Sequence, residues 1–225
     1  MGVVPKTVNH RTRLPHVEAG GVAQHVCFRL ADSLPAKVRR RLASRSSVGN
    51  HPGLEADRRR RFDVALDAGY GACWLRNPDI AATVRDALQH FDGQRYVLHE
   101  WVIMPNHVHA LFTPLGAIPL SSIVHSWKSY TAKRANRLAG LPGPFWHADY
   151  FDRMIRNDDH FANTADYIRA NPVNAGLCDA PEDWRWSSAY EPSVHDAAPV
   201  WFVSRPPLQA RAIRPRQPMR SLHAS

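Results

Sequence analysis

The chain lacks long hydrophobic runs and has little cysteine, and both absences limit what it can be. No apolar run approaches the length of about 18 residues that suggests a membrane-spanning helix. The N-terminal stretch MGVVPKTVNHRTRLPHVEAGG has no apolar core of the kind that a secretory signal requires. The three cysteines, Cys27, Cys73 and Cys178, are too scattered for a disulfide framework or a zinc knuckle. We therefore expect a cytoplasmic protein with no membrane partner.

Acidic residues are in the minority, with 20 Asp and Glu against 29 Lys and Arg, and the formal net charge is +9. The positive charge is clustered in KVRRRLASR (37–45), in RRRR (58–61) and among the arginines of the C-terminal tail. Such an excess favours an anionic partner, most often nucleic acid, although basic runs also occur on ordinary soluble surfaces. A nucleic-acid partner would associate the protein with the nucleoid.

Hydrophobic periodicity predicts strands over 23–31, 94–104 and 107–113, and helices over 77–93, 120–140 and 158–171, the last ended by Pro172. Residues 180–191 are typical of a compact aromatic turn or a short strand. This mixture predicts an α+β fold with a ferredoxin-like antiparallel sheet and packed helices.

The composition changes along the chain and predicts three parts. Residues 1–20 have the polar composition of a flexible leader, and residues 21–191 form the folded domain. Within that domain, a basic segment at about 33–68 is predicted to form two helices separated by the loop-like SSVGNHPG. Residues 192–225 are rich in Pro, Ala and Arg, and we expect this tail to be disordered.

Two histidines separated by one valine occur in MPNHVHALF (104–112), directly after a Pro-Asn corner. Successive side chains of a strand point to opposite faces of the sheet, so His107 and His109 are expected to lie side by side. Two adjacent imidazoles can share a metal ion or can simply be structural. This pair alone does not decide between the two roles.

A second pattern strengthens a catalytic interpretation. In DYIRANPV (166–173), Tyr167 and Asn171 are four residues apart, so a helix would present the phenol and the amide on one face. If that helix crosses the histidine strand, one site holds two imidazoles, an amide oxygen and a tyrosine.

The chain resembles the IS200-like Y1 tyrosine transposases, and within them the REP-associated tyrosine transposase branch. The segments that carry the resemblance are WVIMPNHVHALF, WKSYTAKRAN, FWHADYFDRMIR, YIRANPVNAGL and WRWSSAY. They occur in the order typical of that family and cover about residues 22–191. Five motifs in order are much more specific than a His-x-His pair alone.

The resemblance implies an HUH endonuclease that cuts single-stranded DNA. His107-Val108-His109 corresponds to the HUH motif, and Tyr167 corresponds to the nucleophile that forms a 5′-phosphotyrosine and leaves a 3′-hydroxyl. Asn171 corresponds to the third ligand of a divalent metal ion. Imidazole and oxygen ligands with open positions suit Mg²⁺ or Mn²⁺. The partner implied is single-stranded, hairpin-containing DNA, bound by a monomer or a homodimer.

Alternatives remain for individual residues. Tyr150 is a rival nucleophile, although the residue four positions later is Met154, which is not an oxygen ligand. Asn171 precedes Pro172 and could simply end the helix. Phosphate contacts are predicted for basic residues that could equally be solvated surface charges; these are Lys128, Lys133, Arg134, Arg153 and Arg156.

Alternatives also remain for the function. The first is a domesticated protein that binds hairpin DNA without cutting it. The second is an unrelated metal hydrolase that uses the histidine pair and a nearby carboxylate, for which the sequence around the motif offers only Glu100.

Overall fold

The computed structural model describes residues 7–9, 16–18, 21–44 and 52–192. Within these ranges the strands are β1 (Thr7–Asn9), β2 (His16–Glu18), β3 (Gln24–Arg29), β4 (Tyr96–Ile103), β5 (His107–Pro114) and β6 (Phe151–Met154). The helices are α1 (Ala36–Ser44), α2 (Pro52–Asp67), α3 (Pro78–His90), α4 (Leu120–Ala139) and α5 (Asp158–Asn174). Short 3₁₀ turns cover Trp74–Arg76 and Pro181–Asp183.

The main sheet has four antiparallel strands in the order β4-β5-β3-β6. Strands β5 and β3 are central, and β3 is buried along its whole length. In this register, His109 lies opposite Cys27 of β3 and Val102 of β4. The α+β fold with an antiparallel sheet and packed helices is therefore confirmed.

One face of the sheet forms the larger hydrophobic core. Residues that alternate along the strands, such as Val26, Val108 and Phe112, pack in one cluster with apolar residues of α3 and α4. Asn77 caps the start of α3, its side chain accepting a hydrogen bond from the Asp79 amide at 2.9 Å. Val84 of α3 is buried in this core cluster.

The opposite face carries the histidines and is covered by α5 and α2. Ile168 of α5 packs with Leu111 of β5 in a second cluster. Leu66 of α2 packs with Cys27 of β3 in a third, smaller cluster. Two helices therefore cover the histidine face, and each packs on the sheet through its own hydrophobic cluster.

The helix predicted over 158–171 is longer than the sequence indicated. Helix α5 continues to Asn174 with Pro172 inside it, so the prediction that Pro172 ends the helix is wrong. Proline removes a single backbone donor, and the turn around it is kept by hydrogen bonds from the Ala175 and Leu177 amides to Asn171 and Pro172. Pro172 is itself buried in the structure.

Other differences concern short strands. Strand β6 has only four residues at the edge of the sheet, and the periodicity of the sequence did not predict it. Strands β1 and β2 pair with each other inside the predicted leader. In 180–191 the structure has the turn Pro181–Asp183 and a single bridge between Val102 and Ser187.

The predicted C-terminal tail lies outside the described residues from position 193 onward, as does most of the predicted leader. The basic segment is described in part, as α1 and α2, and the residues between the two helices, 45–51, lie outside the described ranges. In the part of the chain that the structure describes, no helix has the length and apolar character needed to cross a membrane.

Candidate functional site

The two histidines of the His-Val-His motif lie on the same face of the central strand β5. Their ring centroids are 4.9 Å apart and the rings are nearly perpendicular. Both side chains are buried, with relative exposures of 1% for His107 and 0% for His109. The strand alternation predicted from the sequence therefore places the two imidazoles side by side.

His107 is held as a neutral imidazole. Burial lowers its pKa from 6.5 to about 3. Its Nδ1 lies 2.8 Å from Oδ1 of Asn106, and its Nε2 lies 3.8 Å from Oδ1 of Asp67 at the end of α2. A neutral imidazole with one nitrogen engaged by the protein can offer the other nitrogen to an ion.

A third histidine, which sequence reasoning missed, joins the pair. His25 of β3 is fully buried, and its Nε2 lies 3.0 Å from Nδ1 of His109. The two rings are stacked with centroids 5.2 Å apart. The only signal in the sequence was a polar residue within the apolar strand segment AQHVCFRLA, since the register that brings His25 to His109 is set by long-range pairing.

Tyr167 comes from α5 and lies against these rings. Its ring centroid is 5.6 Å from that of His109 and 6.1 Å from that of His25. Burial raises the pKa of the Tyr167 hydroxyl above its ordinary value of 10.0, and the charge of the neighbouring Asp63 raises it further. The helix therefore brings the predicted nucleophile to the predicted histidine strand.

Asn171 is one turn along α5 from Tyr167 and is 2% exposed. It interacts with the Tyr167 hydroxyl and lowers its pKa, although this effect is smaller than that of burial. Asn171 lies inside the helix, which continues to Asn174, so the alternative in which it merely ends the helix is wrong.

Helix α2 contributes two carboxylates that sequence reasoning missed, because that segment was interpreted by its positive charge alone. Asp63 adjoins Tyr167, and Asp67 adjoins His107. Burial, with the nearby charge of Asp63, raises the pKa of Asp67 from 3.8 to about 6. The available signal was their i, i+4 spacing in RRRRFDVALD, which places both on one face of a helix.

The rival nucleophile Tyr150 packs at the margin of the larger core, where the amine of Lys128 lies 5.7 Å from its ring centroid. Lys128 is turned inward, and its Nζ donates hydrogen bonds of 2.8 Å to the carbonyl oxygens of His147 and Ala148. Burial lowers the pKa of Lys128 from 10.5 to about 8. Its amine is thus already engaged within the protein.

The other basic residues predicted to contact phosphate are exposed but lie on different elements. Lys133 and Arg134 are on α4, the helix that packs on the face away from the histidines. Arg153 of β6 is the strand partner of His25, so both side chains lie on the histidine face. Arg156 follows shortly after β6 and is also exposed.

Glu100, the carboxylate required by the hydrolase alternative, is engaged elsewhere. It forms an ion pair with Arg169 of α5 and accepts a 2.7 Å hydrogen bond from the Ser188 hydroxyl. The carboxylate that adjoins the histidine pair is instead Asp67.

The donor set fits a divalent ion. His107 Nε2 is a buried nitrogen with no hydrogen-bond partner among the described residues. Among the residues that the structure describes, no group of three or more His, Cys, Asp or Glu side chains is placed to hold a metal ion. Asn171, which the resemblance assigns as the third ligand, carries an amide oxygen, a ligand type that hard divalent ions accept.

Comparisons with known proteins place the chain among transposases. Residues 76–171 match the family described as Transposase IS200 like. The REP-associated tyrosine transposase of Escherichia coli (strain K12) is 27% identical over 106 residues, which cover 47% of this chain and 61% of that relative. The resemblance to IS200-like and REP-associated tyrosine transposases is therefore confirmed.

A solved structure, of a REP-associated tyrosine transposase bound to a REP hairpin, shares the fold. Its TM-score is 0.51 at 19% identity, and the match covers 79% of this chain and 82% of that chain. At this identity the likeness supports the fold alone.

Proposed function

We propose that this relative of the IS200-like transposases is a metal-dependent, single-stranded DNA transposase and nickase. It would act on hairpin DNA of the REP type and form a 5′-phosphotyrosine intermediate. The observation that carries the proposal is the contact between the Tyr167 ring of α5 and the His109 ring of β5. Two segments far apart in sequence bring a phenol to an imidazole pair, which is the combination that this chemistry requires.

The protein's own groups divide the reaction between them. The Tyr167 oxygen attacks the scissile phosphorus, and the bond from phosphorus to the 3′ oxygen breaks. The phosphate remains on the tyrosine, and the leaving oxygen takes up a proton to become a 3′-hydroxyl. Asp63, which interacts with the Tyr167 hydroxyl, would receive the phenolic proton, and the 3′ oxygen would take up one proton from Asp63 or from water, so that protons balance over the step. Rejoining reverses these changes and needs no ATP.

His107, His109 and Asn171 would hold the ion. Held there, Mg²⁺ or Mn²⁺ would supply positive charge to polarise the scissile phosphate and to offset the negative charge that develops on it. Neutral imidazoles leave the charge of such an ion undiminished, and the lowered pKa of His107 keeps that ring neutral. The buried position of the pair limits competition from bulk water.

A covalent-adduct assay tests the proposal. The full chain is incubated with Mn²⁺ and labelled hairpin DNA, and the adduct is separated on a denaturing gel. We expect Tyr167→Phe to abolish the adduct while hairpin binding is retained, and Tyr150→Phe to form it normally. His107→Ala and excess chelator should each stop cleavage.

Each other outcome has a clear meaning. An adduct that persists in Tyr167→Phe and disappears in Tyr150→Phe would move the nucleophile to Tyr150. Hairpin binding by the wild type without an adduct under any ion would favour the non-cleaving alternative. Size measurements of the DNA complex would decide between a monomer and a homodimer.

A further inference from the structure

Both imidazoles of the candidate site turn the same ring nitrogen toward the protein. Nδ1 of His107 lies 2.8 Å from Oδ1 of Asn106, and Nδ1 of His109 lies 3.0 Å from Nε2 of His25. All four side chains are buried, with exposures between 0% and 1%. In a buried site such hydrogen bonds determine which nitrogen of each ring carries the proton.

The hydrogen bond to His107 has a defined direction. The Asn106 amide nitrogen donates to the carbonyl oxygens of Leu66 at 3.0 Å and Tyr70 at 3.1 Å. These two bonds use both amide hydrogens and fix the orientation of the amide, so that its oxygen faces His107 and can only accept. Nδ1 of His107 therefore carries the proton, and Nε2 keeps its lone pair.

The hydrogen bond between His25 and His109 allows two arrangements, because either ring can be the donor. If His25 donates, the proton of a neutral His109 must sit on Nε2, and that nitrogen cannot bind an ion. If His25 accepts, His109 carries its proton on Nδ1 and its Nε2 has a free lone pair. Only the second arrangement makes His109 equivalent to His107.

We propose that His25 is a positioning residue that accepts a hydrogen bond from Nδ1–H of His109, as Asn106 accepts one from Nδ1–H of His107. Both Nε2 atoms are then available to one divalent ion. This inference rests on the proposed function, because the ion is the one proposed there. Stacking of the two rings, with centroids 5.2 Å apart and planes inclined by 26°, also restricts the rotation of His109. Outer hydrogen bonds of this kind orient metal-binding histidines and set their basicity.

Two substitutions at one position separate the hydrogen bond from the packing. His25→Leu keeps a buried side chain of similar size but removes the acceptor. His25→Gln restores an acceptor oxygen near the position of Nε2. The full chain is used for each variant, with circular dichroism and thermal melting to verify the fold.

The first measurement is Mn²⁺ binding by titration calorimetry. We expect His25→Leu to weaken binding by about 10- to 100-fold and His25→Gln to recover most of that loss. The second measurement is the ¹⁵N spectrum of the histidine rings in the metal-free protein. We expect a protonated Nδ1 and a bare Nε2 on His109 in the wild type and in His25→Gln, with that preference lost in His25→Leu.

The outcomes distinguish this inference from the proposed function. Equal Mn²⁺ affinity in the wild type and His25→Leu, or a wild-type His109 protonated on Nε2, would overturn the role of His25. Mn²⁺ binding that depends on His25, in a protein that never forms a DNA adduct, would support the role of His25 and reject the proposed function. If the wild type binds no Mn²⁺, the ring protonation measured without metal still decides the role of His25.

Discussion

The side-chain amide nitrogen of Asn106 donates a 3.0 Å hydrogen bond to the carbonyl oxygen of Leu66, which joins the turn before the histidines to the last turn of α2. The same nitrogen donates to Tyr70 beyond the helix, and the amide oxygen faces His107. One buried side chain therefore connects the histidine strand to the helix that supplies Asp63 and Asp67. This connection adds to the packing of Leu66 in holding α2 over the site.

Replacing Asn106 by alanine should destabilise the protein strongly. The change removes three hydrogen bonds of a side chain that is 1% exposed and leaves their buried partners unsatisfied. We expect the free energy of unfolding to fall by about 2–4 kcal/mol. Urea denaturation monitored by tryptophan fluorescence measures the loss.

Asn136→Ala is the matched control. Its amide donates one 2.8 Å hydrogen bond, to the carbonyl oxygen of Gly143, near the protein surface. Water can replace that bond, so the loss should stay below about 1 kcal/mol. Equal losses in the two variants would contradict the role assigned to Asn106.

Arg153→Gln should weaken binding to hairpin DNA more than Lys133→Gln does. Arg153 is exposed and lies on the histidine face opposite His25, whereas Lys133 is on a helix of the other face. If Arg153 contacts a phosphate, its loss should lower the affinity for hairpin DNA about 3- to 10-fold. The slope of log affinity against log salt concentration should also fall by about one released counterion. Fluorescence anisotropy at several salt concentrations measures both quantities.

The two substitutions remove the same charge, so a general electrostatic effect would change both affinities alike. Arg156→Gln, close to β6, should behave like Arg153→Gln, and Arg134→Gln should behave like Lys133→Gln. The reverse order would move the DNA path to the surface of α4.

Lys128 should make the stability of the protein depend on pH in the alkaline range. Burial lowers its pKa to about 8 in the folded protein, against the ordinary lysine value of 10.5 that applies to an unfolded chain. Between these values the unfolded chain keeps a proton that the folded chain has lost, so stability rises as the pH rises through the window. Relative to Lys128→Met, which does not titrate, the wild type should gain at most about 3 kcal/mol.

Urea denaturation of both proteins at the two ends of that window measures the difference. The variant corrects for all other titrating groups, since they are common to both proteins. Parallel stability curves across the window would show that burial of the Lys128 amine does not disfavour its charged form.

The local parts of this fold could be predicted from the sequence. The alternation in HVHALF places His107 and His109 on one face, and the i, i+4 spacing places Tyr167 and Asn171 together, without any knowledge of tertiary structure. Asn77 and Gly140 mark the ends of their helices because capping is determined by neighbouring residues.

The features that the sequence did not predict depend on contacts between distant parts of the chain. His25 reaches His109 only because β3 lies between β5 and β6, and no local pattern encodes that strand order. Asp63 and Asp67 belong to a segment whose charge run suggested an anionic partner or a solvated surface, whereas its apolar Leu66 packs over the sheet. Helix α5 continues past Pro172 although proline locally disfavours a helix interior, and Pro172 is buried by tertiary packing that the local sequence does not encode.

The order of the site's elements along the chain has a consequence for biosynthesis. Under the proposed chemistry, the positioning residue His25, the histidine pair and the nucleophile come from an early strand, a middle strand and a late helix, so translation must proceed beyond Tyr167 before the set is complete. A nascent chain or a prematurely terminated product can carry all three imidazoles and still have no nucleophile. Under that chemistry, such a fragment would form no covalent link to DNA.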